Sequence, residues 1–445
     1  MKRLFFFLYA VCVLLLGACA SPSYDNLAQA QSAGARLGEH IYIDGVDVSG
    51  LTPQEAANRL AEAQQAILAD RHFSIGSGTD SLEISAADLP IQFNCEEVLL
   101  QALSLPEHAL SGNARELSCT PQVQLEPLRA ALSQQTAGLN QQPQDATASY
   151  DPSVEGGFVF TEATPGRVVD VHALAQSLQD HIASGDTSAL PVSFTEIPPS
   201  YTAQQAAADN QLICRFATSF AGSTYSKKNR VFNIEKAAAM IDGVTIAPGE
   251  EFDMNATLGD RNAENGWKKA AGIRDGAYVQ EYGGGVCQVS TTLYNAVLMA
   301  DLSVTERHHH SWPLGYIDPG RDATISTDGP NFRFINNGQA PITISAQVDT
   351  SEKTISVAIY GRPLPDGTTI ALFAKKTATL DDLGTEYTVD TSLAPGQTEE
   401  VRKSRRGCIA VTWKEYYDAQ GNLLKKEEVS EDKYRSIRGL VKVSG

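Results

Sequence analysis

The chain has 445 residues, 42% of them hydrophobic and 20% charged, the composition of a soluble globular protein long enough for several cores. Its 53 acidic residues outnumber 35 Lys and Arg, giving a formal charge of −18. That excess argues against nucleic-acid binding, which needs a basic surface, and against adhesion to anionic lipid by charge alone.

Met1-Lys2-Arg3 is a short basic start, followed by the apolar run Leu4–Leu16 and then Leu16-Gly17-Ala18-Cys19. A basic start and an apolar core of this length predict a secretory signal, too short for a membrane span. The last four residues resemble a bacterial lipobox. That resemblance implies cleavage before Cys19 and lipid on its sulfur, with an uncleaved anchor as the alternative. Either way the protein is expected in the cell envelope, outside the cytoplasm. The Ser-, Ala-, Gln- and Gly-rich stretch from Ala20 to about Gly38 reads as a tether. Residues 1–18 are therefore taken as signal and 19–38 as linker.

Ile41–Val48 alternates like a short hairpin around Gly45, and Thr52-Pro53-Gln54-Glu55 is a capping box opening a helix to about Leu68. Strands are expected at His72–Ile75 and Leu82–Ser85. A further strand at Phe158–Thr161 precedes a helix over Val171–Ala183, capped by Asp170, striped by Leu174, Leu178 and Ile182, and ended by Gly185. Gln141–Thr147 reads as a loop, and the stiff Ile197-Pro198-Pro199-Ser200 places a boundary near residue 205. From Asn210 to Gly361 the pattern is strands and turns around a single helix. Ile342–Val348 and Thr354–Tyr360 alternate as partner strands. Beyond Arg362 a β-rich tail carries Ile409–Tyr417 and Leu423–Val429 on either side of the turn Asp418–Asn422. The fold class is α+β and multidomain: a mixed N-terminal region (39–205), a β-rich central domain with one helix (206–362), and a small β tail (363–445).

The central helix follows Gly283-Gly284-Gly285-Val286-Cys287-Gln288-Val289-Ser290-Thr291-Thr292-Leu293-Tyr294-Asn295-Ala296. Three glycines free the backbone, and Val289, Leu293, Ala296/Val297 and Ala300 recur along one face. A cysteine at that junction lies at the positive end of the helix dipole, which favours the thiolate. The plainer reading is a small buried cysteine closing a glycine turn. Arg307-His308-His309-His310-Ser311 supplies candidate bases nearby. Seven cysteines include Cys12 and Cys19, leaving Cys95, Cys119, Cys214, Cys287 and Cys408. One pairing that spares Cys287 is Cys95–Cys119 with Cys214–Cys408, though spacing leaves connectivity open. No zinc-like Cys spacing occurs, and neither metal nor cofactor is expected.

Together with Pro248-Gly249-Glu250-Glu251-Phe252-Asp253-Met254-Asn255, Gly259-Asp260-Arg261, and Glu306–Pro313 leading to Gly320-Arg321-Asp322-Ala323-Thr324, the long Cys287 run resembles the VanW domain, a bacterial cell-envelope family. Residues 39–205 resemble, less sharply, the peptidoglycan-binding region preceding VanW domains in YoaR-like proteins. Asp253 stands where family members commonly carry serine, and is given no role. The resemblance implies a cysteine L,D-transpeptidase that joins peptidoglycan stem peptides through 3-3 bonds.

The residues suit that chemistry. Cys287 would attack a stem-peptide carbonyl, and peptide N–H groups around Gly284, Gly285 and Gln288 would hold the oxyanion. His310 is the chosen base, because it occupies the family's Arg-x-x-His-Ser position. Asp322 is either its orienting carboxylate or a turn aspartate. Arg261 and Arg307 are either grips for substrate carboxylates or structural ion-pair arginines. Ser290 and Thr291, in the first helical turn, satisfy free amides or line the pocket, with Tyr294 and Asn295 on the same wall. The expected partners are peptidoglycan stem peptides and, through the N-terminal lipid, the membrane. The rival readings are a cysteine peptidase or amidase on the same polymer, and a non-catalytic peptidoglycan-binding scaffold.

Overall fold

The structure, a computed structural model, describes residues 23–76, 78–105, 114–222, 227–274 and 277–445. The signal and Cys19 lie outside the described residues. The chain divides into two compact units, one of residues up to Gln144 with Pro165–Pro198, the other of Asp145–Thr164 with Pro199–Gly445. Among the described residues no helix is long and apolar enough to cross a membrane.

The first unit follows its local signals closely. Thr52 and Glu55 close a reciprocal capping box at the start of the Pro53–Asp70 helix. This helix packs Ala56 and Leu60 in one cluster with Ile41 and Ile43 of the first strand, with Val48, and with Val98 and Leu99. The last two lie on a helix, Cys95–Leu103, that no sequence expectation covers. A second cluster joins Phe73, Ile75 and Ile84 to Leu128, Leu132, Leu174, Leu178 and Ile182. Asp170 caps the Val171–Ser184 helix through the amides of His172 and Ala173, and Gly185 ends it at φ 73°. Fully burying one such aliphatic side chain contributes about 1.5–3 kcal/mol.

All five described cysteines are free thiols, so neither bridge of the pairing that spacing left open is present. Cys95 and Cys119 do lie within hydrogen-bonding reach; burial, and then that contact, push the Cys119 thiol up. The proposed Cys214–Cys408 pairing has a plain physical obstacle. Cys214 belongs to the main core, bonded to Ala296 O at 3.2 Å, whereas Cys408 packs with Ala410 and Tyr434.

In the second unit an antiparallel sheet takes the order Gln211–Ser219, Thr354–Gly361, Ile342–Asp349, Thr245–Ile246. Two helices pack on it, Lys228–Ile241 and Val286–Met299. The first corrects the expectation of a single central helix. Its buried stripe of Ile234, Ala237, Ala238 and Ile241 is interrupted by buried Arg230 and Asn233, which disguises the period. A three-stranded sheet pairs Arg333–Ile335 with Glu251–Asp253 and Ser303–Glu306. Asp253 caps the short Met254–Leu258 helix through the Ala256 amide.

The hairpin Thr147–Tyr150 with Phe158–Thr161 belongs to this second unit, not to the N-terminal region where the 205 boundary had put it. Phe158 packs edge-on against Tyr360 of the central sheet, and the Tyr150 hydroxyl donates to Asp242. C-terminal strands Thr369–Thr379, Cys408–Tyr417 and Leu423–Tyr434 make a further antiparallel sheet.

The Val286–Met299 helix is buried on nearly every side, polar face included. Burying Gln288, Ser290, Thr291, Thr292 and Asn295 is tolerable only because each is hydrogen-bonded. Such a helix is a rigid mount.

Candidate active site

The glycine turn is sterically enforced. At Gly285, φ is 110°, and an added Cβ would lie 2.8 Å from Arg230 Cγ. A Cβ on Gly284 would meet the Ala270 carbonyl carbon at 2.7 Å. The turn therefore folds tightly between neighbouring elements and delivers Cys287 as the second residue of a 14-residue helix.

Cys287 is half-buried in the wall of a cleft of about 880 Å³. Its Sγ lies 3.5 Å from Ile325 O and 3.6 Å from Thr324 Oγ1. His310 lines the same cleft, close enough to act on the thiol. Behind it, His310 Nδ1 is 2.6 Å from Asp322 Oδ2, which also accepts the His310 backbone N–H at 2.7 Å. Asp322 is 1% exposed. Its remaining oxygen accepts from the Tyr434 hydroxyl. A nucleophile, an imidazole and an orienting carboxylate thus stand in line.

Burial pushes the Cys287 thiol up, but the hydrogen bond and charge of His310, helped by Ile325 and Thr324, bring it down to about 7. Burial would lower His310; Asp322 and Cys287 outweigh it and raise the imidazole to about 9. Burial opposes ionisation of Asp322, yet its bond to His310 holds it at about 2. Between about pH 7 and 9 the pair is thiolate and imidazolium. Below that window the thiol regains its proton, and above it the imidazole loses one. Alkylation of Cys287 by iodoacetamide should therefore rise to half its plateau near pH 7. Cys214, buried and pushed up to about 12, should stay unreactive. A Cys287 midpoint at the ordinary thiol value would show that the pair does not form.

The other expected residues divide. Gly284, Gly285 and Arg261 line the cleft with Cys287. Arg261 is held by Gly259 O and Asn255 Oδ1. Gln288 touches the cleft, but its amide donates to Gly285 O and its side chain bonds Thr218, Ser219 O and Arg230. It is therefore no oxyanion donor. The Val286 amide is likewise taken by Gly283 O, while that of Cys287 has no backbone acceptor among the described residues.

Ser290 and Thr291 do not line the cleft; both bond Ala323 O and pin the segment carrying Asp322 and Thr324 to the helix. Asn295 does the same through Arg321 O, and Tyr294 is buried in the core. Of the two readings open for Arg307, the structure has the internal ion pair. It binds both oxygens of Asp432, at 2.8 and 2.7 Å, and the carbonyls of Asp322 and Gly320. His308 turns outward to Glu306, and the His309 ring lies against Tyr434.

Tyr316, which bonds Thr291, and Arg230 also line the cleft; neither stood in a motif that would have marked it. Lys269, Glu281 and Asp328 add charge of both signs.

Residues 229–360 match the family model described as "VanW like protein". The chain carries a VanW-like domain. Residues 82–190 match the model described as "Putative peptidoglycan binding domain". Over 144 residues the chain is 41% identical to "Uncharacterized protein YoaR" of Bacillus subtilis (strain 168), covering 31% of this chain and 48% of that protein. It is 29% identical over 134 residues to "Vancomycin B-type resistance protein VanW" of Enterococcus faecalis (strain ATCC 700802 / V583), covering 29% and 48%. The chain thus spans about half the length of the curated relatives it matches. A solved structure titled "IgA1 Protease G5 domain structure" aligns with 18% of this chain and 92% of its own at 13% identity and a TM-score of 0.13, a likeness that carries no argument. Cys287, His310 and Asp322 all fall inside the VanW-like domain; Asp432 and Tyr434 lie beyond its matched range.

Proposed function

We propose that this protein is a cell-envelope cysteine acyltransferase, an L,D-transpeptidase that forms 3-3 cross-links between peptidoglycan stem peptides. The observation that carries the reading is the Cys287–His310–Asp322 line opening into a cleft of about 880 Å³, large enough for a peptide. The peptidoglycan-binding match in the first unit supports a cell-wall substrate. Arg261 and Lys269, in the same cleft, suit the carboxylates of stem peptides. Membrane attachment through lipid on Cys19 is part of the same proposal.

The Cys287 thiolate adds to the carbonyl carbon of the donor, forming a C–S bond and a tetrahedral oxyanion near the Cys287 amide. The oxyanion collapses, the C–N bond breaks, and the leaving amine takes the proton held on His310. A thioester remains. An amine of the acceptor stem attacks it, gives a proton to neutral His310, and the C–S bond breaks to restore the thiolate. Water as acceptor would give a carboxypeptidase through the same acyl-enzyme.

The test is mass spectrometry of the full chain with a tetrapeptide-stem muropeptide. The expected result is a Cys287 adduct lacking the terminal residue, resolved into a 3-3 dimer, with neither formed by Cys287→Ala. Release of the shortened peptide alone would move the protein to the hydrolases. Cross-linking undiminished in Cys287→Ala would end the reading.

A further inference from the structure

Asp322 uses both carboxylate oxygens. One serves His310 and the other accepts from Tyr434, with Arg307 Nη2 at 3.5 Å. The Tyr434 hydroxyl in turn accepts the Gly320 N–H at 2.7 Å, gripping the turn that presents Asp322. Gly320 itself, at φ 99°, lies so close to the Cys408–Tyr417 strand that a Cβ would meet Thr412 Oγ1 at 2.5 Å. Asp432, two residues before Tyr434 and on the same face of its strand, binds Arg307 bidentately. The strand register fixes both, opposing Ala410 to Asp432 and Cys408 to Tyr434. Tyr434 is fully buried, and Asp432 is 7% exposed.

We propose that Tyr434 and Asp432 are positioning residues of the cysteine site, so that the C-terminal β-region completes the active site of the VanW-like domain. The inference rests on the catalytic reading above for its consequence, and on the geometry alone for its placement. Without the Tyr434 hydroxyl, a buried oxygen of Asp322 keeps only the longer contact with Arg307, and the Gly320 N–H in the turn that presents Asp322 loses its acceptor. Without Asp432, buried Arg307 keeps only the longer ion contact with Asp322.

The two losses act oppositely on His310. The charged and titratable groups facing Asp322 are His310, Arg307 and Tyr434, with Tyr294 and Tyr316 felt at longer range. Cys287 faces His310, with Arg261 and Tyr316 felt across the cleft; Arg307 faces Asp432 and Tyr294; His309 lies on Tyr434. Removing the Tyr434 donor leaves more negative charge on Asp322 to hold the imidazolium. Removing the Asp432 charge leaves Arg307 in excess, which opposes the imidazolium and favours the thiolate.

The experiment measures Cys287 alkylation by iodoacetamide against pH, in full-length Tyr434→Phe and Asp432→Asn, beside the wild type. The imidazole step should move up in Tyr434→Phe and down in Asp432→Asn, each by roughly half a pH unit or more. The thiol step should also move down in Asp432→Asn. On substrate, Tyr434→Phe should lose about tenfold in kcat with KM unchanged. Folded variants with unmoved steps and wild-type kcat would overturn the proposal. Should Asp432→Asn not fold, Tyr434→Phe, which keeps the ring, decides alone. The alkylation profile tests the positioning even if no transpeptidation is found, so the two readings fail separately.

Discussion

Asp322→Asn is expected to lower turnover by about 10³–10⁴-fold while leaving the fold in place. The loss has two sources. An asparagine presenting its amide N–H to His310 Nδ1 would place the ring proton on the wrong nitrogen. The imidazolium would also lose the anion that holds it up at about 9. As His310 falls, its support for the thiolate falls with it, so the Cys287 alkylation midpoint should rise above its value of about 7. The variant therefore needs a higher pH to form thiolate and loses imidazolium at a lower one, narrowing the active window from both sides. Stopped-time product analysis across pH, with circular dichroism as a folding control, checks this. Turnover near that of the wild type, with an unmoved midpoint, would show Asp322 to be only a turn residue. His310→Ala should lose roughly 10²–10⁴-fold, whereas His308→Ala, at an outward-facing position, should change little.

Gly285→Ala should be destabilising and should blunt the nucleophile together. Alanine pays for the left-handed φ of 110° and drives its Cβ to 2.8 Å from Arg230 Cγ and 3.0 Å from Arg230 O. Strain of about 1–3 kcal/mol and overpacking of similar size predict a total loss on the order of 2–5 kcal/mol. Arg230 also holds Gln288, so the shift is transmitted to the first turn of the cysteine helix. Gly249→Ala is the control: its φ is 80°, but a Cβ there would meet nothing within 4 Å. Thermal melts should place Gly285→Ala well below Gly249→Ala, with slower Cys287 alkylation only in the former. Equal melting would mean that backbone conformation, not close packing, is what matters at the glycine turn.

Cys287 was legible locally, from a glycine run and a helix start, whereas His310 was singled out among three histidines only by the VanW resemblance, and Asp322 was open between orienting carboxylate and turn residue. Arg307 was not legible in the same way. The sequence left it open between a substrate grip and a structural ion pair, because its partner Asp432 lies 125 residues away. Ser290 and Thr291 stayed open for a related reason, since hydroxyls at a helix start look alike whether they face a ligand or an Ala323 carbonyl. Tyr434 carried no signal, being one aromatic in an alternating strand 112 residues from Asp322. The Thr147–Thr161 hairpin was recognisable in part as strand, but its allegiance to the central sheet depends on Phe158 meeting Tyr360. Local chemistry is written in the sequence; long-range partnership is not.

The pairing of Gln211–Ser219 with Thr354–Gly361 has a consequence for the birth of the molecule. An edge strand whose partner lies about 150 residues later cannot zip until that long intervening segment has closed on it. Until then, Cys214 and its apolar neighbours have no sheet to enter. The first unit needs nothing beyond Pro198 and can close much earlier. The polypeptide thus has an early-maturing half and a late-maturing half, and Cys287 belongs to the late one. Chaperone demand, misfolding and proteolysis of the nascent protein should concentrate there.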